Sequence, residues 1–225
     1  MVSKMNIYII RHGETDLNVQ GRLQGHIDYP LNAQGIRLGD ITGKALEKIS
    51  FDYIFTSPLE RAVETARLAS QYSSSYHHAE IPVIKDSRLM EINWGSWDTL
   101  GCTRENFEIP SHSFQDFYKD PFRFRGPKDG ETISQVCERT GDFWKDLISN
   151  PLYENKTVLI SAHGCSVKGL LYQIKDDKTD FWGNGVPRNC SVSLITISDG
   201  VPVLNFEDRI YYDSSLSNNP YQFHE

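Results

Sequence analysis

Two histidines of this chain stand where a short apolar run ends, and each is followed by glycine. Residues 7–10 lead into Arg11-His12-Gly13, and residues 157–161 lead towards His163-Gly164. A histidine with an unprotonated ring nitrogen can attack phosphorus and hold the phosphoryl group covalently. Arginine guanidinium groups bind phosphate oxygens bidentately, so Arg11 and Arg61 suit the neighbourhood of such a histidine. His12 is therefore a candidate nucleophile beside a candidate anion site.

Each of these residues also has an ordinary structural explanation. A histidine at a strand end often satisfies a buried hydrogen-bonding partner, and Arg61 alone suits the exposed face of a helix. His163-Gly164 alone is compatible with a simple turn. The functional interpretation therefore depends on whether the fold brings the three segments together.

Apolar patterning predicts the elements that would position them. Strands are predicted at residues 7–10, 53–56, 82–84 and 157–161, with a closing hairpin at 192–197 and 201–206 around Asp199-Gly200. Helices are predicted at 32–49, from a Ser57-Pro58 start, from a capping box at Thr132, and at 167–174. Strands that alternate with helices predict an α/β fold, a three-layer α/β/α sandwich with a mostly parallel central sheet.

The predicted strand ends place the candidate residues at one edge of this sheet. In an open α/β sheet, ligands bind beyond the carboxyl ends of the strands. The first strand ends at Arg11 and His12, the second is followed by Ser57 and then Arg61, and the strand at 157–161 is followed by His163. We therefore expect two histidines and two arginines to converge. A single domain over residues 1–212 is predicted, with a loose tail at 213–225.

Composition argues against several classes of partner. The net charge of −7 disfavours a general nucleic-acid binder. No apolar run reaches the roughly 18 residues that a membrane span needs, so no membrane association is expected. The four cysteines form no Cys-x-x-Cys pair, which predicts reduced thiols in the cytoplasm. His77-His78 and His26-x-Asp28 are weak as metal ligands, so neither a metal nor a cofactor is expected. The oligomeric state stays open.

An ordered set of short motifs along nearly the whole chain resembles the histidine phosphatase superfamily, also called phosphoglycerate-mutase-like. The set comprises Arg11-His12-Gly13-Glu14-Thr15 with Asn18, Gly21-Arg22-Leu23-Gln24-Gly25, Pro30-Leu31, Ser57-Pro58-Leu59 with Arg61-Ala62 and Thr65-Ala66, Leu89-Met90-Glu91 with Gly95 and Trp97, Gly130-Glu131-Thr132, and His163-Gly164. Each piece is weak alone, whereas their order and spacing are those of the family.

The resemblance implies a role for each matching position. His12 would be the nucleophile that becomes phosphohistidine, and Glu91 would give a proton to the leaving oxygen and later act as a general base. Arg11, Arg61 and His163 would complete the catalytic phosphate pocket. The substrate-binding positions implied in this way are Arg11, Asn18, Gln24, Gly25, Arg61 and His163. Hydrolysis of a small phosphorylated metabolite is the expected reaction.

Two departures from the family pattern bear on that reaction. The chain reads Asp98-Thr99 where the family often has Glu-Gly, so the loop there is expected to differ in shape. Between Glu91 and Gly130 it lacks the long insertion of phosphoglycerate mutases, with its Glu-Arg-His-Tyr-Gly segment and paired arginine. A mutase needs a closed, cation-rich cover, whereas a phosphatase must admit water. The short segment favours a phosphatase; a mutase and a non-catalytic phospho-ligand-binding relative are the alternatives.

Residues 98–128 are expected to form a lid-like segment of irregular structure. Packing of its aromatic residues onto the body is favoured over a role at a substrate mouth, because exposed aromatic clusters are uncommon. Arg104, Arg123 and Arg125 either meet a second anionic group of the substrate or are solvated, and solvation is the favoured interpretation. Substrate identity is expected to depend on this segment.

Overall fold

The structure is a computed structural model that describes residues 4–74 and 81–217. Within these residues, one sheet has the strand order β3-β2-β4-β1-β5-β6. Its strands are β1 (Lys4–Arg11), β2 (Tyr53–Thr56), β3 (Val83–Lys85), β4 (Thr157–Ala162), β5 (Val192–Ser198) and β6 (Val201–Arg209). Strands β1 to β4 are parallel to one another, whereas β5 and β6 are antiparallel to their neighbours. The predicted mostly parallel sheet is therefore confirmed.

The helices mostly follow the predicted positions. The described α-helices are α1 (Asp16–Val19), α2 (Ala33–Ala45), α3 (Glu60–Ser70), α4 (Asp116–Lys119), α5 (Ile133–Ser149) and α6 (Gly164–Tyr172). The predicted capping box opens α5, since the Thr132 hydroxyl accepts from the Gln135 amide and the Gln135 side chain accepts from the Thr132 amide. Sequence periodicity missed α1 because a single turn is too short to show a helical repeat.

The predicted start of α3 at Ser57-Pro58 is wrong. The helix begins at Glu60, after Leu59 in an extended conformation. The Ser57 amide instead donates to the Ser161 carbonyl over 3.0 Å, which continues the pairing between β2 and β4. The Ser57 hydroxyl accepts from the Leu59 amide at 3.3 Å and closes a local turn. Sheet pairing thus takes precedence over the local capping signal.

Alternating residues of β1 show that helices cover both faces of the sheet. Ile7 and Ile9 belong to the cluster that contains the apolar stripes of α5 and α6. Ile10 belongs to a second cluster with Leu38 of α2 and Ala66 of α3. Because side chains along a strand point alternately to opposite faces, the two clusters lie on opposite sides of the sheet. The three-layer sandwich is therefore confirmed.

The segment 98–128 packs through its aromatic residues, as predicted. Phe114, Phe117 and Phe124 are buried in a third cluster, together with Trp94 and Trp182. The Phe117 ring centroid lies 4.9 Å from that of Trp94 and 5.1 Å from that of Trp182. Phe107 lies largely outside this packing, with 52% of its surface exposed. The segment is thereby attached to the body by a layer of large apolar side chains.

The chain closes with the predicted hairpin. Asp199 and Gly200 connect β5 to β6 with φ of 49° and 80°, the left-handed conformation that two-residue hairpin turns require. Ser214–Leu216 then forms a 3₁₀ turn, and Nε2 of the Gln34 side chain donates to the Leu216 carbonyl over 2.6 Å. The rest of the predicted loose tail and the His77-His78 pair lie outside the described residues. In the part of the chain that is described, the helices are too short or too polar to cross a membrane.

Candidate active site

The sheet brings the two sequence-predicted histidines together. Strand β4 lies between β1 and β2, so the three carboxyl ends are adjacent. The His12 amide donates to the Ala162 carbonyl over 2.9 Å, which fixes the end of β1 against the end of β4. The ring centroids of His12 and His163 are 5.1 Å apart, with their planes tilted by 54°. The predicted convergence is thus found at the carboxyl edge.

His12 is held as a neutral ring with one unprotonated nitrogen. Its Nδ1 lies 2.7 Å from the Gly13 carbonyl oxygen, which can only accept a hydrogen bond, so Nδ1 carries the proton. Burial holds the pKa of His12 well below its usual value, and the positive charges of Arg61 and Arg11 lower it further. Nε2 therefore keeps its lone pair near neutral pH, as nucleophilic attack requires.

Arg61 is buried as a cation behind this ring. Its two terminal nitrogens donate to the Ile27 carbonyl at 3.0 Å and to the Gly25 carbonyl at 2.8 Å. Its Nε is buried and has no hydrogen-bond partner within residues 4–74 and 81–217. Burial lowers the pKa of Arg61 to about 10, so the guanidinium stays protonated near neutral pH. Arg11, also buried, donates from a terminal nitrogen to the Pro187 carbonyl.

Several buried polar groups of the predicted site residues have no hydrogen-bond partner among the described residues. They are Nε of Arg61, Nε2 of Gln24 and both ring nitrogens of His163, of which one is an N–H donor in a neutral ring. Burial lowers the pKa of His163 well below its usual value, with further lowering by Arg61 and His12, so this ring is also neutral. Buried polar groups are normally paired, and an unpaired set in one place needs an explanation. Oxygen atoms of a phosphoryl group would satisfy these donors.

Glu91 is oriented by the first turn of α6. Its Oε1 accepts from the Cys165 amide at 2.9 Å and from its own neighbour, the Ile92 amide, at 2.9 Å. A Cβ on Gly164 would lie 3.2 Å from Oε2, so the close approach depends on glycine at this position. Glu91 lines the same cavity as His12. The Glu91 carboxyl group thus lies in the cavity that also contains the candidate nucleophile.

Asn18 lies in α1, and hydrogen bonds to its side-chain oxygen orient it. Its Oδ1 accepts from the Thr15 amide at 3.1 Å and from Nδ2 of Asn189 at 3.3 Å. The same Asn189 nitrogen donates to the His12 carbonyl at 2.9 Å. Asn18 lines the cavity, and its Oδ1 is already used, so Nδ2 is the donor available to a phosphate oxygen. Sequence reasoning missed Asn189, because it lies in a loop far along the chain with no motif around it.

Gln24 and Gly25, the two remaining positions implied by resemblance, differ in their placement. Gln24 lines the cavity, and its Oε1 accepts from the Thr15 hydroxyl at 2.9 Å. Gly25 lies behind the cavity, where its carbonyl holds Arg61 and its amide donates to Oδ1 of Asp98 at 2.7 Å. Oδ2 of Asp98 accepts from the Ile27 amide at 3.1 Å. Asp98 therefore fixes the loop whose carbonyls orient Arg61.

Thr99 stands where the family often has glycine, and its backbone adopts a conformation typical of glycine. Its φ is 70°, in the left-handed region that β-branched residues rarely adopt. Its carbonyl accepts from Arg22 at 2.6 Å. The loop thus has at this position the conformation that suits the glycine often found in the family.

The cavity extends from His12 to an apolar wall that includes Phe117 and Tyr118. These two aromatic residues of the segment 98–128 therefore border the cavity as well as packing on the body, a role that sequence reasoning considered and disfavoured. We define the apolar wall by the cavity-lining residues Leu23, Trp94, Phe117, Tyr118, Trp182 and Val186. Arg22 also lines the cavity, whereas Arg104, Arg123 and Arg125 are exposed and do not. Their exposure agrees with the favoured expectation that these lid arginines are solvated.

Comparison with known protein families shows to which superfamily the chain belongs. The family model for the histidine phosphatase superfamily (branch 1) matches residues 7–208. The chain belongs to this superfamily. A Bacillus subtilis (strain 168) protein named uncharacterized phosphatase PhoE is 31% identical over 185 residues, covering 82% of this chain and 84% of that protein. The solved structure of Bacillus stearothermophilus YhfR has a TM-score of 0.79 and 30% identity, covering 91% of this chain and 97% of that chain.

The relatives of this chain include proteins named as phosphatases and proteins named as mutases. A Lactococcus lactis subsp. cremoris (strain MG1363) protein named 2,3-bisphosphoglycerate-dependent phosphoglycerate mutase is 30% identical over 190 residues, covering 73% of this chain and 80% of that protein. Membership of the histidine phosphatase superfamily therefore supports an enzyme without choosing between hydrolysis and isomerisation. Among residues 4–74 and 81–217, no group of three or more potential ligands is placed to hold a metal ion.

Proposed function

We propose that this histidine phosphatase superfamily member is a phosphomonoesterase that hydrolyses a small phosphorylated metabolite through a phosphohistidine on His12. The observation that carries the proposal is the neutral His12 ring, with its proton on Nδ1, beside the unpartnered buried donors of Arg61, His163 and Gln24. His12 and Gln24 line the cavity, whereas Arg61 and His163 are not among its lining residues. The His163 ring centroid nevertheless lies 5.1 Å from that of His12, so a nucleophile stands beside donors for an anion. Positioning and electrostatic stabilisation supply most of the catalysis in phosphoryl transfer.

In the first step, a bond forms between Nε2 of His12 and phosphorus while the bond from phosphorus to the ester oxygen breaks. Glu91 gives its proton to the departing oxygen, which leaves as an alcohol. Arg11 and Arg61 stabilise the charge on the equatorial phosphoryl oxygens, and His163 donates a hydrogen bond to one of them. In the second step, water attacks phosphorus, Glu91 takes up its proton, and the nitrogen–phosphorus bond breaks.

Hydrolysis is preferred over isomerisation because of the cations around the cavity. Of the described residues that line the cavity, Arg11 and Arg22 carry permanent positive charge. Arg22 is already paired with Glu108 over 2.8 Å. A mutase must retain a bisphosphorylated intermediate, which needs a second strong anion site. Among the described residues, the donors near His12 would supply the first such site, and Arg22, the other arginine that lines the cavity, is already held by Glu108.

Trapping of the intermediate tests the proposal. Brief incubation with a ³²P-labelled phosphomonoester is expected to give a phosphoprotein that is stable in base and labile in acid. His12→Ala is expected to abolish the label and the turnover, whereas His112→Ala, which removes an exposed histidine, is expected to preserve both. Full turnover by the His12→Ala enzyme would overturn the proposal. Interconversion of phosphoglycerates faster than their hydrolysis, with a bisphosphate primer, would replace phosphatase by mutase.

A further inference from the structure

The apolar wall is a prebuilt surface. Trp94, Phe117 and Trp182 are each less than 10% exposed, so their positions are set by packing. Nε1 of Trp182 donates to the Phe117 carbonyl over 2.7 Å, which satisfies the polar atom of the indole away from the cavity. The Tyr118 and Trp182 ring centroids are 5.9 Å apart. The polar atom of the Trp182 indole is thus already satisfied, and the wall consists of apolar and aromatic side chains next to the site around His12.

The charge of Arg22, which also lines the cavity, is balanced by a carboxylate of the protein itself. Arg22 donates to Oε2 of Glu108 at 2.8 Å and to Oε1 at 3.3 Å, a bidentate pair. The Gly101 amide also donates to Oε2 at 2.9 Å. These contacts, the Gly101 amide first and Arg22 second, hold the pKa of Glu108 below its usual value, so Glu108 is charged near neutral pH. A second anionic group of a substrate would therefore meet Arg22 with its charge already balanced.

The other arginines of the lid offer no substitute. Arg123 is 80% exposed at its side chain and lies near Asp120 at 3.7 Å. Arg125 donates to the Phe122 and Phe124 carbonyls at 3.0 Å and 2.9 Å. Neither lines the cavity, and nor does the exposed Arg104. A carboxylate or second phosphate pressed against the apolar wall would lose hydration without gaining an unbalanced cation, which is unfavourable.

We propose that the site selects phosphomonoesters of alcohols that carry an apolar ring and no second anionic group, and that Glu108 enforces this selection by neutralising Arg22. The proposal rests on the proposed function and names its substrate class. The ring packs against the apolar wall while the phosphoryl group occupies the donors around His12. Specificity of this kind combines an attractive surface for one ligand with an unfavourable one for its competitor.

Matched esters separate the two parts of the proposal. The alcohols of 2-phenylethyl phosphate and 2-(4-carboxyphenyl)ethyl phosphate leave with similar ease, and the esters differ in one remote carboxylate. Their ratio of kcat/KM, neutral over carboxylated, is expected to be about ten or more, a change worth about 1.4 kcal/mol. Ethyl phosphate, which lacks the ring, is expected to react at least about tenfold less efficiently than 2-phenylethyl phosphate.

Substitution of Glu108 tests how the selection is achieved. Glu108→Gln removes the charge and keeps an oxygen that can accept from the Gly101 amide, and it is expected to lower the neutral-to-carboxylated ratio about tenfold. Glu105→Gln removes the same charge from a nearby exposed residue and is expected to leave the ratio as it is. The double variant Arg22→Gln/Glu108→Gln is expected to restore the neutral-to-carboxylated ratio of kcat/KM, because it also removes the Arg22 charge that Glu108→Gln leaves unbalanced.

The possible failures are distinguishable. If the protein hydrolyses both aromatic esters with a ratio at or below one, the substrate class is wrong while the phosphatase stands. If ethyl phosphate matches 2-phenylethyl phosphate, the apolar wall does not bind the substrate. If Glu108→Gln and Glu105→Gln change the ratio equally, Glu108 is not the determinant. If no ester is hydrolysed and His12 takes no label, both this proposal and the proposed function fail.

Discussion

Replacing His163 by glutamine is expected to halve the part of the stability loss between pH 7.5 and pH 5.5 that comes from the two buried histidines. The pKa values of His12 and His163 are both held well below the usual 6.5, chiefly by burial. In the unfolded chain, both rings bind protons as the pH falls through about 6.5. A depressed pKa in the folded state therefore contributes stability that is complete above pH 6.5 and is lost below it.

The size of the loss follows from the number of protons. Each ring that stays neutral in the folded protein lowers the free energy of unfolding by about 1.4 kcal/mol between pH 7.5 and pH 5.5. The reason is that the unfolded chain takes up one more proton per ring, and one pH unit corresponds to about 1.36 kcal/mol per proton. The two rings together make the free energy of unfolding fall by about 2.7 kcal/mol between pH 7.5 and pH 5.5. His163→Gln removes one ring, so about 1.4 kcal/mol of the pH-dependent loss is expected to remain.

Urea unfolding at pH 7.5, 6.5 and 5.5 measures these differences, with the free energy extrapolated to water at each pH. The buffer must be free of phosphate, because a ligand bound only by the folded state would add stability. His112→Gln, at an exposed histidine, serves as the matched control and is expected to show the same loss as the unchanged protein. An equal loss in His163→Gln and the unchanged protein would refute the assignment of buried neutral rings.

Three further substitutions test how the backbone supports the site. Gly13→Ala is expected to lower the free energy of unfolding by about 1–3 kcal/mol, measured in urea, because a Cβ would lie 2.8 Å from the Gly35 carbonyl oxygen; stability equal to that of the unchanged protein would contradict the contact. Thr99→Gly is expected to raise the free energy of unfolding by about 0.5–1 kcal/mol, since it relieves a φ of 70°; a loss of stability would show that the threonine side chain contributes more than its strain. Asp98→Asn is expected to lower kcat/KM by about ten- to a hundredfold. The substitution replaces one of the two oxygens that accept from the Gly25 and Ile27 amides by a donor, so the loop whose carbonyls orient Arg61 is misplaced. Unchanged kinetics would show that this loop does not contribute to catalysis.

The sequence predicted the convergence at the carboxyl edge because the rules that place parallel strands side by side are general. His12 and His163 each follow directly on a strand that reads as buried, so their placement needed only the sheet. The family resemblance added Glu91, Asn18 and Gln24, which the structure places around the same cavity. Local patterning failed at the start of α3, where pairing of Ser57 with β4 determined the backbone.

Contacts between distant loops could not be predicted in this way. Asn189 reaches the His12 carbonyl across 177 positions of the chain, and Glu108 reaches Arg22 across 86. No periodic pattern links such pairs, because the loops that carry them are irregular and their approach depends on the packed fold. For the same reason a cavity-lining role was disfavoured for Phe117 and Tyr118 and was missed for Trp94 and Trp182, since buried aromatic residues look alike whether or not they border a cavity.

The position of β1 in the sheet has a consequence for synthesis on the ribosome. This strand carries the nucleophile at its end, and its two neighbours are β4 and β5, which begin at Thr157 and Val192. The apolar Ile7 and Ile9 are thus translated long before either neighbouring strand. Until β4 and β5 have been synthesised, both edges of β1 are unpaired. Contacts of such long range form slowly, and exposed strand edges invite aggregation in the meantime. Nascent chains that end before Val192 would therefore expose the edge of β1 that β5 covers in the folded protein, which makes them natural clients for chaperones that hold apolar strands.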